Sequence, residues 1–250
     1  MQATHYSLIR DNHGKRQALG LAVAGTASER QRVYEVLLAH HGSNETFHAG
    51  TAPALPDQVS QAKWVVVTCG ADRPIAAAWI TADPQRCPRN RFLLEQQFDL
   101  SELHERDRHL LEIAGLCVHP DFRNGHALSL LWHGIGRMMA FHDSDCLIAS
   151  LPIPLSQGDC YIRSLMDQVL RDHRLSDTTK IRAKIPLPRL EITDTQQVRL
   201  PSLLKAALHA GARVGDQPYW DAARNTINLS LLLDRHRMPR RYLRRYVTPL

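Results

Sequence analysis

One carboxylate, Glu112, stands inside the otherwise apolar run LLEIAGLCV at residues 110–118. The length and composition of this run predict a buried strand. A carboxylate in such a strand is desolvated, paired with a cation or open to a cleft, and partial burial brings it toward the strength of a useful base. We interpret Glu112 as a candidate general base; the alternative is a structural glutamate that pairs with one of the many arginines.

A turn with the sequence VHPDFRNG (118–125) follows this strand and leads into a predicted helix. A strand–turn–helix junction with a glycine presents backbone N–H groups and the positive end of the helix dipole, which together bind phosphate. Arg123 adds a full positive charge beside Asn124 and Gly125. The alternative is an ordinary turn, since such junctions are common in α/β proteins.

Other catalytic and metal chemistry has little support in the sequence. The fourteen histidines form no HExxH motif or clean triad, so we predict no metal site. No serine stands in the context of a nucleophile elbow, which argues against a serine hydrolase. The five cysteines form no CxxC pair, and three of them lie in apolar runs. We therefore predict buried free thiols instead of a disulfide framework.

The elements that would position these groups predict one α/β domain over residues 1–250. WVVVTC (64–69) and PIAAAWITA (74–82) predict a β-hairpin, and CLIASLPI (146–153) predicts another buried strand. The helix after the turn has one apolar face. Neighbouring strands early in the chain, followed by a strand–helix–strand unit, predict a mixed, twisted central sheet flanked by helices, with a C-terminal elaboration.

Local patterns place the remaining elements. Residues 1–16 are expected to be a loose arm, and residues 43–62 a loop. Ser28 is expected to cap the first helix, and residues 158–173 are predicted to be helical. A final strand is predicted at INLSLLL (227–233), before a basic tail at residues 235–250.

Length, composition and charge narrow the class of protein. Of the 250 residues, 44% are hydrophobic and 22% charged, which is typical of a globular protein. No apolar run is long enough to cross a bilayer, and the polar N-terminus lacks the apolar core of a signal peptide, so we expect a cytoplasmic protein. The net charge of +6 predicts an anionic partner. No nucleic-acid recognition motif accompanies that charge, which disfavours nucleic acid.

Four blocks of the sequence together resemble a known family. They are FLLEQQFDL, LEIAGLCVHPDFRNG, LSLLWHGIGRMM and LPSLLKAALHAGARVGDQPYWDAARNTINLSLLLD, in this order over residues 92–234. The ordered set resembles the hemolysin-like branch of the GNAT superfamily, and within it the bacterial ornithine N-acyltransferases of ornithine-lipid synthesis. It is more distantly similar to acyl-homoserine-lactone synthases and N-acyl amino acid synthases.

The resemblance implies a direct acyl transfer without a tightly bound cofactor. A glutamate at the position of Glu112 would take a proton from the attacking amine, and the neutral amine would attack a thioester carbonyl. Backbone N–H groups near Cys117 and Val118 would stabilise the developing oxyanion. The phosphate of the donor would lie near Arg123, Asn124 and Gly125. The donor would be acyl-phosphopantetheine on acyl carrier protein, or acyl-CoA.

Two features depart from the family pattern. The common GNAT turn, R/Q-x-x-G-x-G/A, is replaced by R-N-G-H-A-L, which favours the single phosphodiester of acyl carrier protein over the pyrophosphate of coenzyme A. The relatives usually carry Glu-x-x-Arg on the central strand, whereas Gly115 stands three residues after Glu112. Residues three apart on a regular strand face opposite sides. We therefore expect the missing arginine to affect the acceptor pocket instead of the base.

The expected function is transfer of a fatty-acyl group from acyl carrier protein to an amino acid, with ornithine as the first acceptor. The alternatives are an acyl-CoA-dependent N-acyltransferase that acts on another amine and a non-catalytic acyl- or lipid-binding module. The basic tail, with Arg240, Arg241, Arg244 and Arg245, is expected to contact an anionic surface of the inner membrane. A solvated C-terminal helix is the alternative interpretation of the tail.

Overall fold

The structure is a computed structural model, which describes residues 5–10, 16–41, 62–70, 73–85, 91–106, 108–123, 125–176, 180–188 and 196–247. The expected loop at 43–62 lies outside the described residues except for Ala62. The strands are β1 (His5–Arg10), β2 (Arg16–Ala24), β3 (Lys63–Cys69), β4 (Arg73–Ala82), β5 (Phe98–Asp99), β6 (Leu110–Val118), β7 (Cys146–Pro154), β8 (Arg182–Ala183), β9 (Arg213–Val214), β10 (Tyr219–Asp221) and β11 (Thr226–Asp234). The helices are α1 (Ala27–His41), α2 (Ser101–His104), α3 (His126–Phe141), α4 (Asp159–His173), α5 (Ser202–His209) and α6 (Arg240–Tyr242).

The chain divides into two compact units. The first contains residues 1–91, 111–143 and 243–250, and the second contains residues 92–110 and 144–242. The mixed α/β class expected from the sequence is confirmed, and both units contain helices and strands. None of the described helices combines the length and the apolar character that a bilayer span requires.

The first unit is built on an antiparallel sheet in the order β1, β2, β3, β4, β6. Helix α1 covers one face, where Tyr34 meets the ring of Trp64 edge-on. Helix α3 covers the other face, where a Cβ atom on Gly134 would overlap Val65. Trp64 and Val65 are neighbours on β3 and so point to opposite faces. The predicted hairpin of β3 and β4 is confirmed.

The second unit contains an antiparallel sheet in which β11 lies between β7 and β10, and β9 also pairs with β11. A separate two-stranded ladder joins β5 to β8. One apolar cluster, which includes Phe92, Phe98, Leu110, Ile148 and Leu232, forms a core in this unit. Burial of these large side chains is the main favourable term in its folding.

Two local expectations were wrong. Residues 5–10 form β1 and pair with β2 instead of belonging to a loose arm. Helix α1 is capped by Thr26 instead of Ser28: the Thr26 hydroxyl accepts the Glu29 N–H at 3.2 Å, and the Glu29 carboxylate accepts the Gly25 and Thr26 N–H groups. This reciprocal arrangement is a capping box, for which T-x-x-E is the sequence signal.

Candidate active site

Glu112 lies in β6 with its side chain 2% exposed. Its partner across the ladder is Thr81 of β4, which is also buried. Thr81 and Trp79 are two residues apart on β4 and share a face of the sheet. The predicted base therefore lies on the face that carries Thr81 and Trp79, inside the first unit.

A β-bulge interrupts β6 three residues after Glu112. Ala77 pairs with Cys117 and Trp79 pairs with Ala114, so two residues of β6, 115 and 116, oppose the single residue 78 of β4. Gly115 has φ +55°, the left-handed conformation that a glycine adopts at little cost in such a bulge. Residues 110–113 are buried, whereas residues 114–116 are partly exposed. The bulge is thus where the strand that carries Glu112 reaches the surface.

The bulge overturns the expectation that positions 112 and 115 face opposite sides. A Cβ atom on Gly115 would lie 2.6 Å from the Trp79 indole. It would therefore point to the face that Trp79 shares with Glu112, because the extra residue breaks the regular alternation of the strand. The indole occupies the space that a side chain at position 115 would need, which gives a physical reason for the glycine.

The two predicted oxyanion amides point in different directions. The His119 N–H donates to the Ile75 carbonyl of β4 at 2.7 Å. Alternate residues of a strand direct their N–H groups to the same edge, so the Cys117 N–H also faces β4 and the Val118 N–H faces away from it. Of the two, only Val118 has an amide oriented away from the ladder. The oxyanion role of the amides near Cys117 and Val118 stays a prediction, and this geometry favours the Val118 amide for it.

The Cys117 side chain is a packing group. The thiol is buried, and its Sγ lies 3.6 Å from the Ala77 carbonyl, to which it donates. Burial raises the pKa of this thiol far above its ordinary value, against the smaller opposite effect of that hydrogen bond. The group therefore stays protonated and does not act as a nucleophile.

The turn after β6 leads directly into α3. A short helical turn at Pro120–Phe122 is followed by Gly125 in the left-handed conformation, with φ +90°, and α3 begins at the next residue. The Arg123 side chain is exposed, and its Nε donates to the Val118 carbonyl at 3.5 Å. Asn124 lies outside the described residues. The structure thus brings Arg123, Gly125 and Val118 together at the end of β6.

Two residues near this turn, His119 and Arg73, were not among those expected from the sequence. His119 is buried, and an NH2 group of Arg73 lies 3.2 Å from its Nε2. The Asp121 N–H donates to its Nδ1 at 3.2 Å. The Asp121 N–H contact holds the imidazole at the start of the turn, and a second guanidinium, from the beginning of β4, lies beside it. The position of His119 directly after a buried strand was the available signal.

The segment that contains the candidate site also matches known proteins. Residues 57–133 match a family described as acetyltransferase (GNAT) domain, and they include every predicted site residue. An L-ornithine N(alpha)-acyltransferase of Rhodobacter capsulatus is 29% identical over 182 residues, which cover 68% of both chains. Residues 57–133 are thus similar to a GNAT acetyltransferase domain.

Further proteins similar to this chain bear the same name. L-ornithine N(alpha)-acyltransferases of Agrobacterium fabrum and Rhizobium meliloti are 24% and 25% identical over 63% and 62% of this chain. The matches span 57% and 55% of those two relatives, a little over half of their length. A solved N-acyl amino acid synthase from uncultured soil microbes, FeeM, covers 88% of this chain and 94% of its own, with 11% identity and a TM-score of 0.48.

The described residues contain no group of three or more His, Cys, Asp or Glu side chains that could hold a metal ion.

Proposed function

We propose that this GNAT domain transfers a fatty-acyl group from the thioester of acyl carrier protein to the α-amino group of ornithine, in lipid biosynthesis. The relatives are named as L-ornithine N(alpha)-acyltransferases, which supports ornithine as the acceptor. The observation that carries the proposal is Glu112, a buried carboxylate in the strand that reaches the surface at the Gly115 bulge.

In this mechanism Glu112 takes a proton from the ammonium form of the acceptor, directly or through a water molecule. A base is needed because an amine such as that of ornithine is mostly protonated at neutral pH and then has no lone pair. The neutral amine attacks the thioester carbonyl and forms the C–N bond. The tetrahedral intermediate then expels the thiolate of the carrier, which leaves as the thiol after it takes up the second amine proton.

The Val118 amide is the proposed oxyanion donor, because its N–H is the one directed away from β4. Preorganised backbone N–H groups that face a developing oxyanion are a large term in acyl transfer. Transfer is direct, and the protonated, buried Cys117 thiol supports a path without a covalent acyl-enzyme.

The proposed phosphate site is the turn between β6 and α3. Arg123 is exposed at this turn, and Arg73 approaches it through His119. Two guanidinium groups and the amino end of a sixteen-residue helix suit a phosphodiester. The single phosphodiester of a carrier protein is favoured because the turn lacks the glycine spacing that accommodates a pyrophosphate. Parallel assays with acyl carrier protein and acyl-CoA test this choice.

The decisive test is Glu112→Gln with Glu105→Gln, an exposed glutamate, as the matched control. We expect Glu112→Gln to lower kcat by about 100-fold or more, because general-base catalysis contributes about 10²–10⁴-fold. The deficit should narrow as pH rises, since more of the amine is then already neutral. Full activity of a folded Glu112→Gln protein at neutral pH would show that this residue is not the base.

We also propose that the basic tail contacts an anionic membrane surface. Arg240, Arg241, Arg244 and Arg245 are all exposed. Sedimentation with vesicles that contain anionic lipid, compared with neutral vesicles, tests the contact. Replacement of all four arginines by glutamine should abolish binding to the anionic vesicles. If this variant sediments with them as the wild type does, the membrane assignment is refuted.

A further inference from the structure

Part of the basic tail packs along helix α3 in the first unit. The Arg245 guanidinium donates to Ser129 Oγ at 3.0 Å, and the Tyr246 ring meets His133 edge-on, with ring centroids 5.1 Å apart. A Cβ atom on Gly136 would overlap the Tyr246 carbonyl, so the backbone of the tail lies directly against the helix. The docked tail and α3 therefore form one surface.

Four residues of α3 form a row beside the docked tail. Ser129, His133, Arg137 and Phe141 are spaced four residues apart and share one side of the helix. The tail contacts the first two, which are half-buried, whereas Arg137 and Phe141 are exposed. We call these four residues the α3 row. The row is about 18 Å long, with Arg245 at one end and Phe141 at the other.

Phe141 is the most exposed large apolar side chain among the described residues. It is 81% exposed, compared with 50% for Ile185 and 47% for Val23. Its ring meets the neighbouring His142 edge-on. A single exposed apolar residue is common on protein surfaces. The groups around Phe141 therefore decide what its exposure means.

The surroundings of Phe141 are mainly cationic. Arg137 lies one turn before it in the α3 row and is exposed. Burial lowers the pKa of the His142 imidazole, and the positive charge of Lys63 lowers it further, which places Lys63 near this end of α3. Asp143 adds one negative charge, so positive charge predominates around the ring. An aromatic ring among cations is typical of a side chain that enters the interface of an anionic bilayer.

A bilayer fits this surface better than a folded acidic protein does. Lipid phosphates pair with guanidinium groups without a fixed arrangement, and an aromatic ring enters between the headgroups without a matching pocket. A protein partner instead needs a packed apolar core within the contact. The α3 row offers one exposed apolar side chain, Phe141, which suits the bilayer.

We propose that Phe141 is the apolar anchor of a membrane-binding surface, with Arg137 and Arg245 as its cations for lipid phosphates. This inference rests on the membrane contact of the tail proposed above and adds a residue outside the tail to it. The ring would enter the headgroup region while the two guanidinium groups pair with phosphates. Charge and apolar insertion together bind a membrane more strongly than charge alone.

The test is sedimentation of the full chain with vesicles of phosphatidylcholine and phosphatidylglycerol in equal amounts, compared with vesicles of phosphatidylcholine alone. We expect Phe141→Ser to weaken binding to the anionic vesicles by about tenfold or more, because the apolar contribution of the ring is lost. Phe141→Trp should bind at least as well as the wild type, since tryptophan favours the membrane interface. The matched control is Ile185→Ser, which removes another exposed apolar side chain and should bind as the wild type does.

A fluorophore at position 141 reports insertion directly. Phe141→Cys is labelled with an environment-sensitive dye in a chain whose Cys87 and Cys160 are replaced by serine, because the other three cysteines are buried. We expect brighter, blue-shifted emission with the anionic vesicles and unchanged emission from the same label at Ile185→Cys. Unchanged emission at position 141 overturns the insertion of the ring.

The outcomes separate the anchor from the tail and from the chemistry. If Phe141→Ser sediments as the wild type does while replacement of the four tail arginines abolishes binding, the tail contact stands and the anchor is refuted. Failure of the wild type to sediment with anionic vesicles overturns both. A raised KM for acyl carrier protein in Phe141→Ser, with unchanged sedimentation, assigns the surface to the carrier and overturns the membrane anchor. Glu112→Gln should sediment as the wild type does, because its defect is in turnover, so the acyl-transfer proposal and this one fail independently.

Discussion

Replacement of Gly115 by alanine should destabilise the protein far more than the loss of one glycine does elsewhere. The residue has φ +55°, and a Cβ atom would lie 2.6 Å from the Trp79 indole. A matched control is available in Gly70, which has φ +61° and no atom of the described residues within 4 Å of its Cβ position. The pair separates the conformational cost from the steric cost.

The magnitudes follow from these two terms. A non-glycine residue in the left-handed region costs about 1–2 kcal/mol, which both variants incur. Overlap with a buried ring adds about 1–3 kcal/mol at position 115 alone. The gain from a stiffer unfolded chain is the same for both substitutions and cancels in the comparison. Gly115→Ala should therefore be less stable than Gly70→Ala by about 1–3 kcal/mol.

Urea denaturation of the two variants and the wild type measures this difference. A double-mutant cycle with Trp79→Ala sharpens it, because removal of the indole should reduce the cost of Gly115→Ala to that of Gly70→Ala. Equal destabilisation of Gly115→Ala and Gly70→Ala in the presence of Trp79 would refute the steric argument. The same clash predicts that Gly115→Arg, which restores the arginine of the resembling enzymes, destabilises the protein instead of improving it.

Three further predictions concern other parts of the chain. Thr26→Ala should lower the free energy of unfolding by about 1 kcal/mol through loss of the α1 cap, whereas Ser28→Ala should have little effect; equal values in urea denaturation would contradict the cap assignment. Burial raises the pKa of the Cys146 thiol to about 12. The same thiol ionises at a lower pH in the unfolded chain. Its contribution to stability is therefore complete below about pH 9 and is lost as pH rises toward about 12. The stability advantage of the wild type over Cys146→Ala should therefore shrink between about pH 9 and about pH 12, and a constant advantage over that range in urea titrations would contradict it. In Gly136→Ala a Cβ atom would overlap the Tyr246 carbonyl, so the tail should detach from α3 and trypsin should cleave at Arg244 and Arg245 faster than in the wild type; an unchanged cleavage rate would show that the tail does not depend on this contact.

The position of the candidate base could be predicted from the sequence. The apolar run around Glu112 is long enough for one buried strand, and the structure gives β6 the predicted bounds, Leu110–Val118. The turn and α3 also follow from local signals, since the glycine at the turn and the helical spacing of apolar residues depend only on neighbours in the chain. The catalytic role of Glu112 remains a prediction.

The orientation of the groups around Glu112 could not be predicted in this way. The bulge exists because of how β6 registers against β4, and the two strands are separated along the chain. That register turned position 115 toward Trp79 and assigned the outward amide to Val118 instead of Cys117. Periodicity within one strand contains no information about an extra residue opposite its partner.

The sequence alone thus determined which segments are strands and helices, and it placed a buried carboxylate and a candidate phosphate-binding turn next to each other in the chain. Only the tertiary structure decided which backbone groups and side chains face one another, including the His119 contact with Arg73 and the burial of Asn228 and Ser230 on β11. The physical reason is that secondary structure responds to local apolar periodicity. Strand register and hydrogen-bond satisfaction are instead set by residues that are distant in the chain and adjacent in space.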